Sequence, residues 1–375
     1  MQVKGSKEIR AGVLDSGLCT GCGACVSLCP YYATHKGKTV MHFSCTRDEG
    51  RCHAHCPRAE VNLDMLSSVI FGEEYSAEPF GSYISIYTAR AGDKAGLSSF
   101  QTAGTVSALM KFSMEKGYID SAVLTKNDNG FGVPVIVNDP SGIEKASGSR
   151  YSVSPSVKGV NEAINSGRKK IGTVSTPCQT LAIAQMRGNP VKQENFIDPI
   201  ALSVGLFCTW ALRASDFTDL LKSMGDVSTI RKLDIPPPPS SVMEIETGNK
   251  SYIIPLEEIR KLVPEACSYC HDMTAEFADI SVGVFEGRNK QNIAIIRTER
   301  GRKIFDEAVN AGYLIREEIS SKDIAPLAAA SINKKKKGLA KLADAELVNS
   351  EGKDAVIRIK KSTLESIFKG GALCC

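Results

Sequence analysis

One run of residues constrains this chain more than any other: Cys19-Thr20-Gly21-Cys22-Gly23-Ala24-Cys25-Val26-Ser27-Leu28-Cys29-Pro30. The spacing is C-x2-C-x2-C-x3-C-P, in which three closely set thiolates wrap three corners of an iron–sulfur cubane. Gly21 and Gly23 let the backbone turn tightly around that group, because glycine tolerates positive φ. The fourth cysteine is carried away by the turn at Pro30, so that it reaches a second cluster of a pair.

A second group, Cys45, Cys52 and Cys56-Pro57, repeats the ending of the first, since Cys52-x3-Cys56-Pro matches Cys25-x3-Cys29-Pro. The result is an internal two-fold repeat of the kind found in two-cluster ferredoxins. Cys19, Cys22, Cys25 and Cys56 are expected on one [4Fe–4S] cluster. Cys29, Cys45, Cys52 and one further group are expected on the other. No cysteine fills that last corner. His42 stands three residues before Cys45, where a C-x2-C pair would begin, and imidazole replaces thiolate on iron in some centres. His53 and His55 lie close by. The other reading leaves these histidines on the surface and the second cluster incomplete or three-iron.

A third group is dispersed: Cys178, Cys208 and Cys267-x2-Cys270. A lone cysteine is usually a small buried hydrophobe, so spacing alone also admits zinc or packing. The local pattern adds to it. A short strand at 170–174 leads to Thr176-Pro177, an N-cap followed by proline in the first helical turn. That places Cys178 at a helix N-terminus, where the dipole favours thiolate. Cys208 directly follows a second apolar strand at 201–207. Both thiols therefore lie beyond the carboxyl ends of expected parallel strands, where open α/β sheets place their ligands. Cys374 and Cys375, after Gly370 and Gly371, read as a tail without a ligand role.

Charge excludes other classes. With 46 Lys+Arg against 42 Asp+Glu, the net charge of +4 gives no concentrated basic face, and nucleic acid is not an expected partner. The one dense basic run, at 334–337, reads as a solvated tail. The first ten residues show no apolar stretch of a signal peptide. The longest apolar stretch, 200–212, falls short of the ~20 residues that span a bilayer. A cytoplasmic chain with reduced thiols is expected, with peripheral attachment to a membrane complex as the second option.

Strands are expected at 84–89, 121–125, 133–137, 170–174, 201–207, 293–298 and 355–359, with a hairpin at 242–246 and 251–254. Helices are expected from Gly104 to Lys116, near 157–167 and from Gly301 to Ala311. Strands alternating with helices indicate an α/β domain. The proline run at 236–239 reads as a stiff spacer. There is no GxGxxG or Walker A sequence, which argues against a Rossmann dinucleotide site or a P-loop. No Ser-His-Asp or Cys-His nucleophile arrangement has local support, so no catalytic side chain is assigned.

The order of these pieces resembles the family formed by the beta subunits of coenzyme F420 hydrogenases and dehydrogenases. The residues that carry the likeness are the first cysteine run, the segment from Gly104 to Ile119, Gly148-Ser149-Arg150-Tyr151-Ser152-Val153-Ser154-Pro155, Thr176-Pro177-Cys178-Gln179 and Gly205-Leu206-Phe207-Cys208. Cys267-x2-Cys270-His271-Asp272, Ala278-Asp279-Ile280-Ser281-Val282-Gly283 and Arg297-Thr298-Glu299-Arg300-Gly301 complete it. The resemblance implies an FAD beside a [4Fe–4S] cluster held by Cys178, Cys208, Cys267 and Cys270, which makes three clusters in all. It also implies that the flavin lies near Gly104, Thr105, Ser149, Arg150, Tyr151 and Thr176, with coenzyme F420 as the substrate. Two physical features agree: a helix start offers N–H groups to a pyrophosphate, and Arg150 offers it a fixed positive charge. There are two departures. Gln101-Thr102-Ala103-Gly104 stands where the family often reads Gln-Asp-Gly-Gly, and 287–292 lacks an expected Gly-Trp pair.

The expected fold is thus α+β and α/β. A ferredoxin-like two-cluster module at 1–64 and a linker at 65–82 precede a mixed α/β flavin and iron–sulfur domain at 83–325. An extension at 326–375 follows. The expected function is electron transfer between coenzyme F420, at FAD, and the clusters of a larger redox complex such as a hydrogenase, formate dehydrogenase or F420H2 dehydrogenase, whose other subunits are the partners. The alternatives are a ferredoxin-linked reductase of another organic substrate and a non-catalytic electron-transfer subunit.

Overall fold

The computed structural model describes residues 3–98, 102–236, 239–248, 250–288, 290–353 and 356–369. Gln101, the middle of the 236–239 proline run, Asn249, Ala355, Cys374 and Cys375 lie outside the described residues.

The N-terminal part begins with the short helix α1 (Ser6–Ile9), which runs into a π turn at Arg10–Leu14. A loop carrying the first cysteine run leads to an antiparallel pair, β1 (Tyr32–His35) and β2 (Lys38–Met41), in the register Tyr32↔Met41. The helix α2 (Arg51–Ala54) and strand β3 (Glu60–Asn62) follow. Next comes α3 (Leu63–Phe71), capped by Asn62, whose side-chain oxygen accepts from the Met65 N–H at 2.9 Å.

The central sheet is built from β4 (Ser85–Ala91), β5 (Ser121–Asp128), β6 (Phe131–Val137), β7 (Ile171–Ser175), β8 (Ile200–Leu206), β12 (Ile280–Val284), β13 (Asn292–Ile296) and β14 (Leu314–Glu318). Between β8 and β12 the chain forms a separate sheet of β9 (Ile230–Asp234), β10 (Val242–Thr247) and β11 (Ser251–Pro255). The order in the central sheet is β14-β4-β13-β12-β8-β7-β5-β6, with β12, β8, β7 and β5 parallel and the flanks antiparallel. The connections carry α4 (Thr105–Glu115), α5 (Ser141–Lys145), α6 (Ser156–Asn165), α7 (Pro177–Arg187), α8 (Ala214–Met224), α9 (Leu256–Arg260) and α10 (Glu299–Asn310). The parallel strands are buried on both faces, which is why β7 and β8 read as short apolar runs rather than as alternating ones. Each expected strand and helix has its counterpart within a few residues.

The described residues of the expected extension pack onto the rest of the fold. The long helix α11 (Ser321–Asp344) runs through the expected boundary at 325/326. Strand β15 (Val356–Arg358) then pairs in parallel with β3, Val356 opposite Glu60, and α12 (Lys361–Lys369) follows. Leu339, Leu342, Ile357, Ile359 and Ile367 are buried with Val61, Leu63 and Leu66 in one core. Burying each such aliphatic side chain stabilises the fold by about 1.5–3 kcal/mol. The segment at 65–82 is likewise ordered: most of α3 lies in it, and Tyr75 and Phe80 are buried. The lysine run at 334–337 is not a solvated tail. Lys335 is fully buried and Lys334 is partly buried, because both lie on α11 where it packs against the body.

Candidate iron–sulfur and flavin site

The loop around Cys19, Cys22 and Cys25 is shaped by glycine for two reasons. Gly21 and Gly23 have φ of +69° and +84°. They also pack without room to spare: a Cβ on Gly23 would lie 2.8 Å from the Pro155 carbonyl oxygen, and one on Gly21 would lie 2.7 Å from Val153 Cγ1. The Val157 N–H donates to the Cys22 carbonyl at 3.0 Å, and Asn161 Nδ2 donates to the carbonyls of Ala24 and Val26 at 3.0 and 2.7 Å. The cysteine loop is therefore moulded onto α6 of the central domain.

Cys56 joins this loop. Burial pushes the Cys22 and Cys25 thiols well up, and the charges of Cys19 and Cys56 push the same way at both. Cys56 is pushed up to about 12, by burial first and then by Cys19, against the lowering effect of the Arg58 and Ala59 N–H groups. Four mutually opposed thiolates in a site of low dielectric are unfavourable by themselves. A cationic core reverses that balance, since a coordinating thiol is deprotonated outright. The donor set thus fits an iron–sulfur cluster.

Cys29, Cys45 and Cys52 form a second set. Burial raises Cys52, the His53 N–H and the Tyr32 hydroxyl lower it, and Cys29 and Cys45 add to the rise. The Arg47 N–H donates to Cys45 Sγ at 3.4 Å. His42 is exposed just past β2, with its N–H donating to the Tyr31 carbonyl and its ring 6.3 Å from that of Phe43. His53 and His55 are buried, and His55 is lowered to about 4 by burial and the charge of Arg51.

The sheet assembles the third set. Thr176 caps α7 through a reciprocal pair with Gln179, whose Oε1 accepts from the Thr176 N–H at 2.8 Å. Its hydroxyl lies 3.6 Å from Cys178 Sγ. Cys208 follows β8 and its N–H donates to the Met273 carbonyl at 2.9 Å. Cys267 lies within a 3-10 turn at Glu265–Tyr269 and Cys270 caps its end, where Cys270 Sγ reaches the Asp272 carbonyl at 3.3 Å. Burial raises Cys178, takes Cys208 to about 12 and takes Cys267 to about 11, and at each of them the charge of Cys270 adds to the rise. Among the described residues, no three Cys, His, Asp or Glu side chains converge as they would on a single metal ion.

The three sets are neighbours. Cys52 acts on Cys25, linking the second set to the first, and Cys178 acts on Cys22, linking the first to the third. Arg58 bridges the last two: its guanidinium donates to the carbonyls of Tyr269 at 2.8 Å and Ala266 at 3.0 Å, and its charge lowers Cys19, Cys56 and Cys178. Sequence reasoning missed Arg58, although its place two residues after Cys56 was the available signal.

The residues expected at a flavin come from three segments, at 104–105, 149–151 and 176. Gly104 caps α4 with φ of +71°. The Thr105 hydroxyl is buried and donates to the Ala89 carbonyl at 3.0 Å, so Thr105 can offer an anion only its backbone N–H. Ser149 is exposed. Arg150 donates to the carbonyls of Ser147 and Ser149, and its Nε is buried without a hydrogen-bond partner. Tyr151 packs beside Leu212 and accepts from its N–H at 2.8 Å. Gln179 Nε2 donates to the Ser154 carbonyl at 2.7 Å, which brings this segment to the Cys178 turn.

Residues 86–161 match the family model for the N-terminal part of the coenzyme F420 hydrogenase/dehydrogenase beta subunit, and residues 168–322 match that for its C terminus. The chain belongs to this family. Residues 13–33 also match a 4Fe-4S binding domain. Among its relatives, the chain is 29% identical over 237 residues to the coenzyme F420 hydrogenase subunit beta of Methanothermobacter thermautotrophicus, which covers 62% of this chain and 83% of the relative. It is 28% identical over 316 residues to a subunit of the F420H2 dehydrogenase of Methanosarcina mazei, 79% of this chain and 84% of the relative. A chain of the F420-reducing [NiFe] hydrogenase complex from Methanosarcina barkeri superposes with a TM-score of 0.65 at 25% identity, over 71% of this chain and 93% of that one. The F420 hydrogenase/dehydrogenase models end at 322, so nearly all of α11 lies beyond them. Among the described residues, no helix is long and apolar enough to cross a membrane.

Proposed function

We propose that this chain is the F420-linked, flavin-bearing electron-transfer subunit of a larger redox complex, in which three iron–sulfur clusters connect a deazaflavin site to a partner subunit. The observation that carries the reading is the row of cysteine sets: Cys29/Cys45/Cys52, then Cys19/Cys22/Cys25/Cys56, then Cys178/Cys208/Cys267/Cys270, each acting electrostatically on the next. A bound FAD would supply the exchange between a hydride's electron pair and the single electrons that clusters carry.

The chain's own residues would do the rest. The N-terminus of α4 at Gly104 and Thr105 offers backbone N–H groups to a pyrophosphate, and Arg150 offers its charge and its unpartnered Nε. Ser149, Tyr151 and Thr176 are our further proposed contacts to the same flavin. Cys22 is buried and the other thiols of the first and third sets are partly buried, which limits the access of water, and Arg58 offsets their accumulated negative charge. His42 is our proposed fourth donor to the second set. The ferredoxin-like module is the proposed docking face for the partner subunits, which in the relatives named above belong to a hydrogenase and an F420H2 dehydrogenase.

Iron and flavin analysis of anaerobically purified protein tests the reading. About twelve irons with one flavin are expected. Iron without flavin would overturn the flavoprotein assignment and leave a pure electron-transfer role. A bound flavin that F420H2 does not reduce would favour a reductase of another substrate.

A further inference from the structure

The helix α11 lies almost wholly beyond the matched family region, yet it is fastened to the third cysteine set. Gly338 comes so close that a Cβ there would lie 2.4 Å from the Cys270 carbonyl oxygen. Three residues on, the Lys341 ammonium sits 4.5 Å from the centre of the Tyr269 ring and 2.7 Å from the Ser268 hydroxyl. These contacts fix the helix against the turn that bears Cys267 and Cys270. One turn before Gly338, the Lys334 ammonium donates to the Cys208 carbonyl.

The two neighbouring lysines are used differently. Lys335 is paired in the core with the Glu276 carboxyl at 3.1 Å. Lys334 meets a carbonyl, which does not cancel its charge, and that charge acts on Cys208 and Cys267. Asp272, a carboxylate whose charge acts on Lys334, has both oxygens engaged by the N–H groups of Thr274 and Glu276.

We propose that Lys334 is a positioning residue that raises the reduction potential of the cluster held by Cys178, Cys208, Cys267 and Cys270. The proposal rests on the reading that this set holds a cluster. One-electron reduction adds one negative charge there and moves no proton at Lys334. A fixed cation close by therefore favours the reduced form.

The test is a dithionite titration of the anaerobic full-length protein, followed by electron paramagnetic resonance. The signal of this set is the one lost in Cys208→Ala. Lys334→Gln is expected to lower the reduced-to-oxidised ratio at the wild-type midpoint about tenfold, a shift of about 59 mV for one electron. Lys334→Arg is expected to keep the wild-type midpoint, as is Lys337→Gln at an exposed position on the same helix. Should the glutamine variant lose iron, Lys334→Met supplies the neutral side chain. An unshifted midpoint in a fully loaded neutral variant, or the same drop in Lys334→Arg, overturns the proposal. If Cys208→Ala loses no signal, the cluster reading itself fails and takes the proposal with it, a result distinct from an unshifted midpoint.

Discussion

The first and third cysteine sets hold the same donors but are built in opposite ways. The first comes almost entirely from seven consecutive residues, Cys19 to Cys25, and needs only Cys56 from outside. Its geometry is local, set by positive-φ glycines and by α6 beneath them. The third collects Cys178 and Cys208 from the ends of β7 and β8 and the Cys267/Cys270 pair from a distant turn, and α11 clamps it from the far end of the chain. A local site depends on the backbone conformation of its loop. A dispersed site depends on the whole sheet and on whatever holds the sheet's loops together.

Removing ligands gives the largest effects. Cys22→Ala is expected to cost about four irons from the N-terminal module, while Cys267→Ala is expected to cost about four from the third set and leave the others loaded. Iron counts with cluster-resolved spectra check this, and loss of all iron in both variants would mean that the sets do not assemble independently.

Next come the supports. Lys335→Met leaves Glu276 buried without its cation and is expected to lower stability by about 3–5 kcal/mol, read from denaturant unfolding. Gly23→Ala forces a side chain onto the Pro155 carbonyl at positive φ and is expected to cost about 1–3 kcal/mol, together with iron from the first set alone. If the third set loses iron equally, the contrast between local and dispersed construction is wrong.

A pH effect is expected to be smaller. Burial outweighs Lys335 and raises Glu276 to about 7 from an ordinary 4.5. A carboxyl raised in the folded state contributes stability below pH 4.5 that is lost as pH climbs through about 7. Wild type is therefore expected to lose stability relative to Glu276→Gln between pH 5 and 7.5, and a flat difference in melting temperature across that window would refute it. The smallest effect is expected for His42→Ala, which should alter only the signal of the second set; unchanged spectra remove His42 as a donor.

The same difference between local and dispersed construction explains what was legible in the sequence. The first set could be read directly because its spacing is its geometry. The strands could be read because buried parallel strands leave short apolar runs, as at Ile200–Leu206. The Cys178 turn was visible through Thr176-Pro177 and Gln179, whose side chain completes the cap. The role of α11 was hidden because four consecutive lysines look like a solvated charge block. On a helix, consecutive residues point in different directions. The buried stripe Ala328, Ser331, Lys335, Gly338, Leu339 and Leu342 has helical spacing, with one lysine placed inside it. The Thr105 hydroxyl was equally hidden, since only the fold shows that it is occupied by the Ala89 carbonyl. The pairing of β15 with β3 joins strands nearly three hundred residues apart, and no local pattern encodes such a contact.

The order of the three sets is the centre of this account, and a stepwise reduction tests it most directly. Anaerobic Cys208→Ala protein is mixed with F420H2 and then with dithionite, while the N-terminal cluster signals are followed by electron paramagnetic resonance. With the third set between the deazaflavin and the N-terminal module, F420H2 should leave those clusters oxidised and dithionite should reduce them. Their reduction by F420H2 at the wild-type rate and extent would contradict it.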